Sequence, residues 1–223
     1  MSKPPVVILG MHRAGSSMLV RSLEKLGLFT GAHQDQNAEA QFFMGLNRWI
    51  FWQVGATWDN PYCFRFMNDY LRDMIGRALD FHLASPNREY FIGKDRAARY
   101  KDIRHLDIPW GWKDPRNTFT IDLWKQFFPE MRVIHIYRHP LDVAASLRAR
   151  ALQEMSEMSA RVATQGIAPL LAQNTQFQIS LRIENIEEGI KLWEEYTEKA
   201  VSVCTAFGRN AYSVRYEDLL EHP

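Results

Sequence analysis

The chain has 223 residues, of which 46% are apolar and 24% charged, and its formal net charge is +1. This length predicts one domain, or one domain with a large insertion, and the composition is that of an ordinary globular protein. The near-neutral charge argues against bulk binding to nucleic acid or to an anionic membrane surface, so a nucleotide ligand would need only a local basic pocket. We expect a cytoplasmic protein with no membrane span, because no apolar run suits a signal peptide or a span, and Cys63 and Cys204 fit reduced thiols.

Apolar runs bounded by glycine and proline predict the strands. PPVVILG and RVIHIYRHP are typical of buried strands, WGWKDPR and AYSVRYEDLL of strands that end in turns, and YFIG of a weaker strand. Helical spacing predicts helices in SSMLVRSLEKLGL, AEAQFFMGLNRWIFWQV, NDYLRDMIGRALDFHLA, TFTIDLWKQFF, PLDVAASLRAR and ENIEEGIKLWEEYTEKAVSVCTAF. This alternation predicts a three-layer α/β fold with a central parallel sheet and right-handed crossovers.

These elements predict one domain over residues 1–223. Residues 151–182, rich in Gln, Ser, Ala and Met, are the least patterned part of the chain, and we expect a lid or a mobile insertion there.

The segment GMHRAGSS, residues 10–17, lies between the first strand and the first helix. Gly10 and Gly15 have the spacing of the phosphate-binding loop G-x-x-x-x-G-K-S/T, but Ser16 stands where the lysine would be. Its backbone N–H groups and hydroxyls would form an anion site, the alternative being an ordinary strand-to-helix turn. A kinase needs the lysine and an Asp for magnesium after an apolar strand, whereas here the loop offers Arg13 and His12. The pattern predicts anion binding without a metal, in a fold of P-loop NTPase-like topology.

A second candidate anion site follows the strand RVIHIYRHP. Arg138 ends that strand, and Ser146 lies two turns into the next helix. Because the carboxyl ends of parallel strands meet at one edge of a sheet, Arg138 should face the same crevice as the loop. Taken alone, Arg138 would more simply form a surface salt bridge with Asp142.

The segments GMHRAGSSML and VIHIYRHPLDVAASL together resemble the nucleotide-dependent sulfotransferase family, in its bacterial form. That family pairs a P-loop-like loop with an element R-x-P-x-D-x-x-x-S, complete here as Arg138, Pro140, Asp142 and Ser146. WGWKDPR and VRYEDLL resemble further segments of bacterial members, so the resemblance extends over residues 6–220, although only the two nucleotide motifs are diagnostic.

The resemblance implies 3′-phosphoadenosine 5′-phosphosulfate as the sulfuryl donor, adenosine 3′,5′-bisphosphate as a product, and no metal. Many members carry lysine where this chain has Arg13, and a branch that includes the tyrosylprotein sulfotransferases carries arginine. Arg13 is then expected at the sulfuryl group and the 5′-phosphate, and Arg138 and Ser146 at the 3′-phosphate. The implied donor site comprises His12, Arg13, Ala14, Gly15, Ser16, Ser17, Met18, Arg138 and Ser146.

Sulfuryl transfer also needs a cation at the leaving oxygen and a base for the acceptor. Arg13 is the first candidate cation and Lys113 the second. Glu39 is the leading base, because it opens an aromatic helix where its carboxylate could lie in a dry pocket, although a Glu there also suits helix-terminal charge compensation. Two alternative bases, His33 and Asp35, lie shortly before Glu39 in the segment GAHQDQNAEAQFF. A third, Asp114, follows the GWK strand, but for this residue a role in orienting Arg116 is preferred.

The acceptor is a small molecule, glycan or lipid that the sequence does not specify. Aromatic side chains that could line its site are Phe42, Phe43, Trp49 and Trp52, each more simply assigned to the core, and Trp110 and Trp112, which flank Gly111 closer to the expected site. Arg96 and Arg99 suit a solvated charged face better than a phosphate clamp. Many relatives carry a basic, Gly-containing clamp after the last strand, whereas this chain ends at EDLLEHP, so the clamp comes from elsewhere, such as residues 151–182, or the chain is incomplete.

Two other functions remain open at this point. One is a small-molecule kinase, which magnesium-dependent ATP hydrolysis would reveal. The other is a non-catalytic nucleotide-binding module, which would bind the bisphosphate without turnover.

Overall fold

A computed structural model describes residues 2–168 and 180–221 of the chain. The strands are β1 (Val6–Leu9), β2 (Gly111–Lys113), β3 (Arg132–Tyr137) and β4 (Ala211–Arg215). The helices are α1 (Ser16–Lys25), α2 (Gln41–Gln53), α3 (Asp69–Ala84), α4 (Glu89–Ile92), α5 (Lys94–Arg99), α6 (Asn117–Trp124), α7 (Pro140–Gln165), α8 (Ile186–Phe207) and α9 (Tyr216–Glu221). None of the helices within these ranges is long and apolar enough to cross a membrane.

The four strands form one parallel sheet in the order β2-β1-β3-β4. Val7 pairs with Trp112 on one side and Val133 on the other, so β1 lies inside the sheet with neighbours on both edges. An interior parallel strand is buried on both faces, which is why its sequence is continuously apolar. The predicted α/β fold with a central parallel sheet is confirmed.

Helices cover both faces of the sheet. Val7 and Leu9 of β1 pack into the larger core with α2, α3 and α6, whereas Ile8 points to the opposite face and packs with Leu19 and Val20 of α1. This follows from the alternation of side chains along a strand. The loop between β1 and α1 therefore emerges at the carboxyl edge of the sheet, beside the loop that follows β3.

The structure corrects one sequence-based expectation of local structure. YFIG is not a strand: Glu89–Ile92 is a short helix whose Phe91 and Ile92 are fully buried, so tertiary packing overrides the strand propensity of these residues. Residues 151–165, expected within a lid, continue α7 as regular helix. The remainder of the expected lid includes residues 169–179, which lie outside the described residues.

Candidate functional site at the β1–α1 loop

The loop after β1 has the backbone of an anion cradle. Gly10, Arg13 and Gly15 all have positive φ, at 147°, 69° and 91°. A Cβ on Gly10 would overlap the carbonyl oxygen of Ile136, and one on Gly15 would overlap the ring of Tyr216, so both positions require glycine. A left-handed residue directly before a helix turns the chain so that N–H groups converge on one point.

The N-terminus of α1 supplies donors to this cradle. The N–H groups of Met18 and Leu19 already donate to Gly15 O, at 3.1 and 3.3 Å. Ser16 and Ser17 precede them in the first turn, where backbone N–H groups lack helical acceptors. Since the helix dipole also favours negative charge at this end, the loop is suited to hold an anion.

The loop forms one wall of a cavity of about 230 Å³. The cavity is lined by His12, Arg13, Gly15, Ser16, Ser17, Asn37, Glu39, Lys113, Pro115, Arg138, Ser146 and Arg150. Four of these side chains are cationic and only Glu39 is acidic, so the cavity has a positive potential although the whole chain is nearly neutral.

The two motifs meet directly in this cavity. Arg13 Nε donates a hydrogen bond of 2.8 Å to Ser146 Oγ, which joins the loop to the second turn of α7. Arg138 stands beside them, 3.4 Å from Asp142 and with its guanidinium 5.0 Å from the centre of the Tyr216 ring. The Nε atom of Arg138 is buried and has no hydrogen-bond partner among the described residues. The salt bridge expected of Arg138 in isolation thus exists, but it leaves a donor available.

A buried carboxylate and a buried amine face each other on the other side of the cavity. Glu39 Oε1 accepts a hydrogen bond of 3.1 Å from Lys113 Nζ, and their side chains are only 8% and 3% exposed. Burial, followed by the charge of Asp114, raises the pKa of Glu39 to about 7 although Lys113 and Arg116 oppose the shift. Glu39 can therefore bind or release a proton near neutral pH.

Asp114 orients Arg116, as the sequence suggested in preference to a role as base. Its Oδ1 accepts from the backbone N–H of Arg116 at 2.9 Å and from the guanidinium at 3.0 Å. Its Oδ2 accepts from Asn47 Nδ2 at 3.1 Å, so both oxygens of this fully buried carboxylate are occupied. Asp114 is therefore held in place beneath the site and acts on Glu39 through its charge.

Asn47 connects several elements beneath the cavity. Its amide donates to Asp114 and to Asn117 Oδ1, while its oxygen accepts from Thr120 Oγ1 and Trp124 Nε1, both at 2.9 Å. This fully buried residue is not among those predicted from the sequence. The available signal was an asparagine on the otherwise apolar face of α2, at helical spacing from the buried Phe43.

His12 lies in the loop under the influence of several cations. Its ring contacts Trp58 edge-on at 4.7 Å, and its Nε2 is buried without a hydrogen-bond partner in the described part of the chain. Burial, and then the charges of Arg116 and Lys113, hold the pKa of His12 well below its usual value. His12 is thus neutral at physiological pH and does not add to the positive charge of the cavity.

The structure brings together most of the predicted site residues, but two lie apart. His33 stacks on Tyr90 at 4.5 Å and does not line the cavity. Asp35 accepts from the N–H groups of Asn37 and Glu39 at 2.9 and 2.8 Å, so its carboxylate shapes the turn that delivers Glu39.

Three predicted donor-site residues interact mainly with the protein itself. The N–H of Ala14 donates to Met11 O at 3.2 Å and that of Met18 to Gly15 O, and neither side chain lines the cavity. Ser17 lines the cavity, but its hydroxyl donates to Asn37 O at 2.6 Å. Asn37, Pro115 and Arg150 line the cavity without having been singled out from the sequence.

The aromatic residues expected at an acceptor site belong mainly to the core. Trp110 and Trp112 are 1% and 0% exposed, and Trp112 stacks on Phe43 with ring centres 4.0 Å apart. Their indole N–H groups donate to Lys3 O and Asn117 Oδ1, which explains how two buried tryptophans are tolerated beside the site. Phe42 and Phe43 are buried, Trp49 packs against the same core, and Trp52 is 76% exposed. The core interpretation is confirmed for Phe42, Phe43 and Trp49 but not for Trp52, and the expectation that Trp110 and Trp112 line the acceptor site is wrong.

Two arginines expected on a solvated face lie away from the cavity. Arg99 pairs with Asp107 at 2.7 Å, and Arg96 covers the ring of Phe29 at 4.3 Å. Within residues 2–168 and 180–221, no group of three or more His, Cys, Asp or Glu side chains is arranged to hold a metal ion.

Comparison with solved structures finds bacterial sulfotransferases. One from Alicyclobacillus acidocaldarius is 15% identical, with a TM-score of 0.49, and the match covers 100% of this chain and 77% of that one. Sulfotransferases from Mycobacterium tuberculosis and Mycobacterium avium are also 15% identical, with TM-scores of 0.46 and 0.42. This chain is covered fully in both matches but spans only 65% and 61% of those two proteins.

No curated protein sequence is significantly similar to this chain. The family model described as "Sulfotransferase family", however, matches residues 4–223, which include the loop, Glu39, Lys113 and the Arg138–Ser146 element. Because this match covers nearly the whole chain, the protein is a member of the sulfotransferase family.

Proposed function

We propose that the protein transfers a sulfuryl group from 3′-phosphoadenosine 5′-phosphosulfate to a hydroxyl or amine of a small molecule, glycan or lipid. The observation that carries this proposal is the contact between Arg13 and Ser146 in a cavity that also contains Arg138, Glu39 and Lys113. The two cationic motifs and a carboxylate of raised pKa thus share one site.

The proposed donor fits the residues that form the cavity. The glycines at positions 10 and 15 let the backbone approach an anion closely, and the first turn of α1 directs N–H groups at it. We assign the 5′-phosphosulfate to this cradle and to Arg13. The guanidinium of arginine can span two oxygens of such a group, which a single ammonium cannot.

We assign the 3′-phosphate to Arg138 and Ser146. The buried, unpartnered Nε of Arg138 supports this assignment, because a buried donor without an acceptor is costly unless a ligand satisfies it. Ser146 Oγ, which accepts from Arg13, retains its own hydrogen for a phosphate oxygen. Selection for a nucleotide with a 3′-phosphate would reside in this pair.

Glu39 is the proposed general base. It takes the proton of the acceptor hydroxyl or amine as that atom bonds to sulfur, and the bond between sulfur and the oxygen of the 5′-phosphate breaks. Arg13 and Lys113 neutralise the negative charge that develops on the departing phosphate oxygen. Because Lys113 contacts Glu39 at 3.1 Å, the acid–base group and one of the cations move little relative to each other during the reaction.

The proposal is tested by donor consumption. The protein is incubated with the labelled donor and with panels of phenols, amines and sugars, and release of adenosine 3′,5′-bisphosphate is followed by chromatography. The proposal predicts release that depends on an acceptor and is lost in Arg13→Ala. If wild type binds the bisphosphate but releases none from the donor with any acceptor, the chain is a nucleotide-binding module instead.

A further inference from the structure

A second, larger cavity lies on another face of the protein. It has a volume of about 580 Å³ and is bounded by residues 61–67, the start of α3, and one face each of α6 and α8. No residue lines both this cavity and the cavity of about 230 Å³ at the β1–α1 loop, which is called the donor cavity below after its proposed ligand. Its volume is in the range of cavities that hold small organic ligands.

The floor of this second cavity is apolar and aromatic. It is formed by Phe64, Met67, Phe119 and Leu123. The ring of Phe119 is fixed from behind, because it packs edge-on against Tyr196 at 4.8 Å. A rigid apolar floor favours a flat ring or an alkyl chain, which loses water-exposed surface on binding.

Two arginines at this cavity have no acidic partner in the part of the chain that the structure describes. Arg72 is half-buried, and within residues 2–168 and 180–221 it forms no ion pair. Arg65 lies over the ring of Tyr62 at 4.7 Å and likewise forms no ion pair with a described carboxylate. A half-buried guanidinium without a counter-charge favours an anionic ligand, since such a ligand would restore part of the lost solvation.

The other charges around the cavity largely cancel. Asp122 pairs with Lys199 at 3.2 Å, and Glu195 pairs with Arg182 at 2.7 Å. Among the lining residues this leaves one carboxylate that forms no ion pair with a described residue, that of Glu198, against the two arginines. The unpaired charge of the cavity is therefore positive.

We propose that this cavity is a binding site for an amphipathic anion, with its ring or chain on the Phe119 floor and its carboxylate or sulfonate at Arg72 and Arg65. Such an occupant matches both the apolar floor and the unpaired charge.

The site is separate from the donor cavity but linked to it by side-chain contacts. Phe119 packs on Tyr196, whose hydroxyl donates to Trp58 O at 2.7 Å, and Trp58 contacts His12 in the loop. Because no residue lines both cavities, the amphipathic anion and the nucleotide can be bound at the same time.

Anilinonaphthalene sulfonate, an aryl anion that fluoresces in apolar surroundings, is the probe for this site. It is titrated into the whole protein in the presence of saturating adenosine 3′,5′-bisphosphate, so that the donor cavity is filled. N-phenylnaphthylamine, with related rings but no sulfonate, serves as the neutral comparison. Arg77→Ala is the matched control variant, because Arg77 lies on α3 outside the cavity, exposed and paired with Asp73.

Variants of opposite charge should have opposite effects on the sulfonate. Arg72→Ala should weaken its binding about fivefold, because a charge-assisted contact is lost at a partly exposed site. Glu198→Gln should strengthen binding about twofold by removing a like charge. Neither variant should change binding of the neutral probe, and Arg77→Ala should change neither probe.

The proposal is overturned if Arg72→Ala leaves sulfonate binding unchanged or if Glu198→Gln weakens it, since the site would then favour neutral or cationic ligands. It is also overturned if the bisphosphate displaces the sulfonate, which would place the probe in the donor cavity. These outcomes do not depend on sulfuryl transfer, so failure here and failure of the proposed activity are distinguishable.

Discussion

The donor cavity has an ion pair on each side, and the two pairs differ in their exposure to water. Lys113 and Glu39 are 3% and 8% exposed, whereas Arg138 and Asp142 are 29% and 53% exposed. In both pairs the cation lies at the carboxyl end of a parallel strand, since Lys113 ends β2 and Arg138 directly follows β3. Their environments nevertheless give them different physical properties.

The protein interior determines the electrostatics of the Lys113–Glu39 pair, whereas solvent determines those of the Arg138–Asp142 pair. Burial raises the pKa of Glu39 to about 7 despite the neighbouring Lys113, so this side can exchange a proton. Around Arg138, water and salt screen the charge, so this side is suited to bind and release a phosphate without proton transfer. In the proposed mechanism, the Glu39–Lys113 side of the cavity therefore carries the acid–base chemistry and the Arg138 side selects the nucleotide.

The largest expected effect comes from removing the acid–base group on the buried side. Glu39→Gln should lower the rate of donor consumption about 10²- to 10⁴-fold, as is typical of loss of a general base. Binding of the bisphosphate, measured by calorimetry, should change little.

His33→Gln is the matched control for this variant. Both residues are candidate bases from the same part of the sequence, but His33 stacks on Tyr90 outside the cavity. The rate should therefore be unchanged in His33→Gln. Equal losses of rate in the two variants would contradict the role assigned to Glu39.

The next largest effect is a loss of stability when the hydrogen-bond network of Asn47 is disrupted beneath the Glu39–Lys113 pair. Asn47→Ala would remove one buried hydrogen-bond partner from each of Asp114 Oδ2, Thr120 Oγ1 and Trp124 Nε1, and should lower the free energy of unfolding by about 3 kcal/mol. Urea denaturation measures this change. The exposed Asn87, replaced by Ala, should change it by less than about 0.5 kcal/mol. A similarly small decrease in the free energy of unfolding of Asn47→Ala would contradict this prediction, and would mean that water replaces the hydrogen bonds of the amide.

On the exposed side, a substitution should affect selection of the nucleotide. Arg138→Ala should weaken binding of adenosine 3′,5′-bisphosphate about tenfold and leave binding of adenosine 5′-monophosphate unchanged. Arg148→Ala, an exposed arginine further along α7, is the control. Equal weakening of both nucleotides in Arg138→Ala would remove this residue from the 3′-phosphate site.

The smallest effect is a pH dependence confined to the buried side. Because the active base is the ionised carboxylate, the rate should rise with pH and level off above the pKa of Glu39, about 7. Between pH 4.5, the ordinary pKa of a glutamate, and about 7, the folded protein keeps a proton on Glu39 that the unfolded chain has released. The contribution of Glu39 to the free energy of unfolding therefore falls as the pH rises through this range. A pH profile that is flat around neutrality would contradict this assignment of the base.

The sequence carries much of this site because its motifs are local. The loop around Arg13 and the Arg138–Ser146 element each lie within one strand–helix unit, so their spacing predicts two anion sites at one edge of the sheet, whereas the nucleotide is implied only by the family resemblance. Arg150 was missed although it lies one helical turn beyond Ser146, because it is outside the motif. Asn37 and Asn47 depend on contacts between distant segments, which no local pattern encodes.

The expectations that the structure corrects share one physical cause. Trp110 and Trp112 were placed at an acceptor site because they flank a strand near the loop, but the sheet and Phe43 enclose them. YFIG has strand propensity, but Phe91 and Ile92 gain more by burial within a short helix. In each case burial against distant residues outweighs the local preference.

The most direct test of the central claim is a comparison of ligands by thermal unfolding. The melting temperature is measured with adenosine 3′,5′-bisphosphate and, separately, with ATP and magnesium. A ligand that binds only the folded protein raises the melting temperature by mass action. Our account predicts a clear rise with the bisphosphate and little with ATP and magnesium. A rise with ATP and magnesium but none with the bisphosphate would contradict it and favour a kinase.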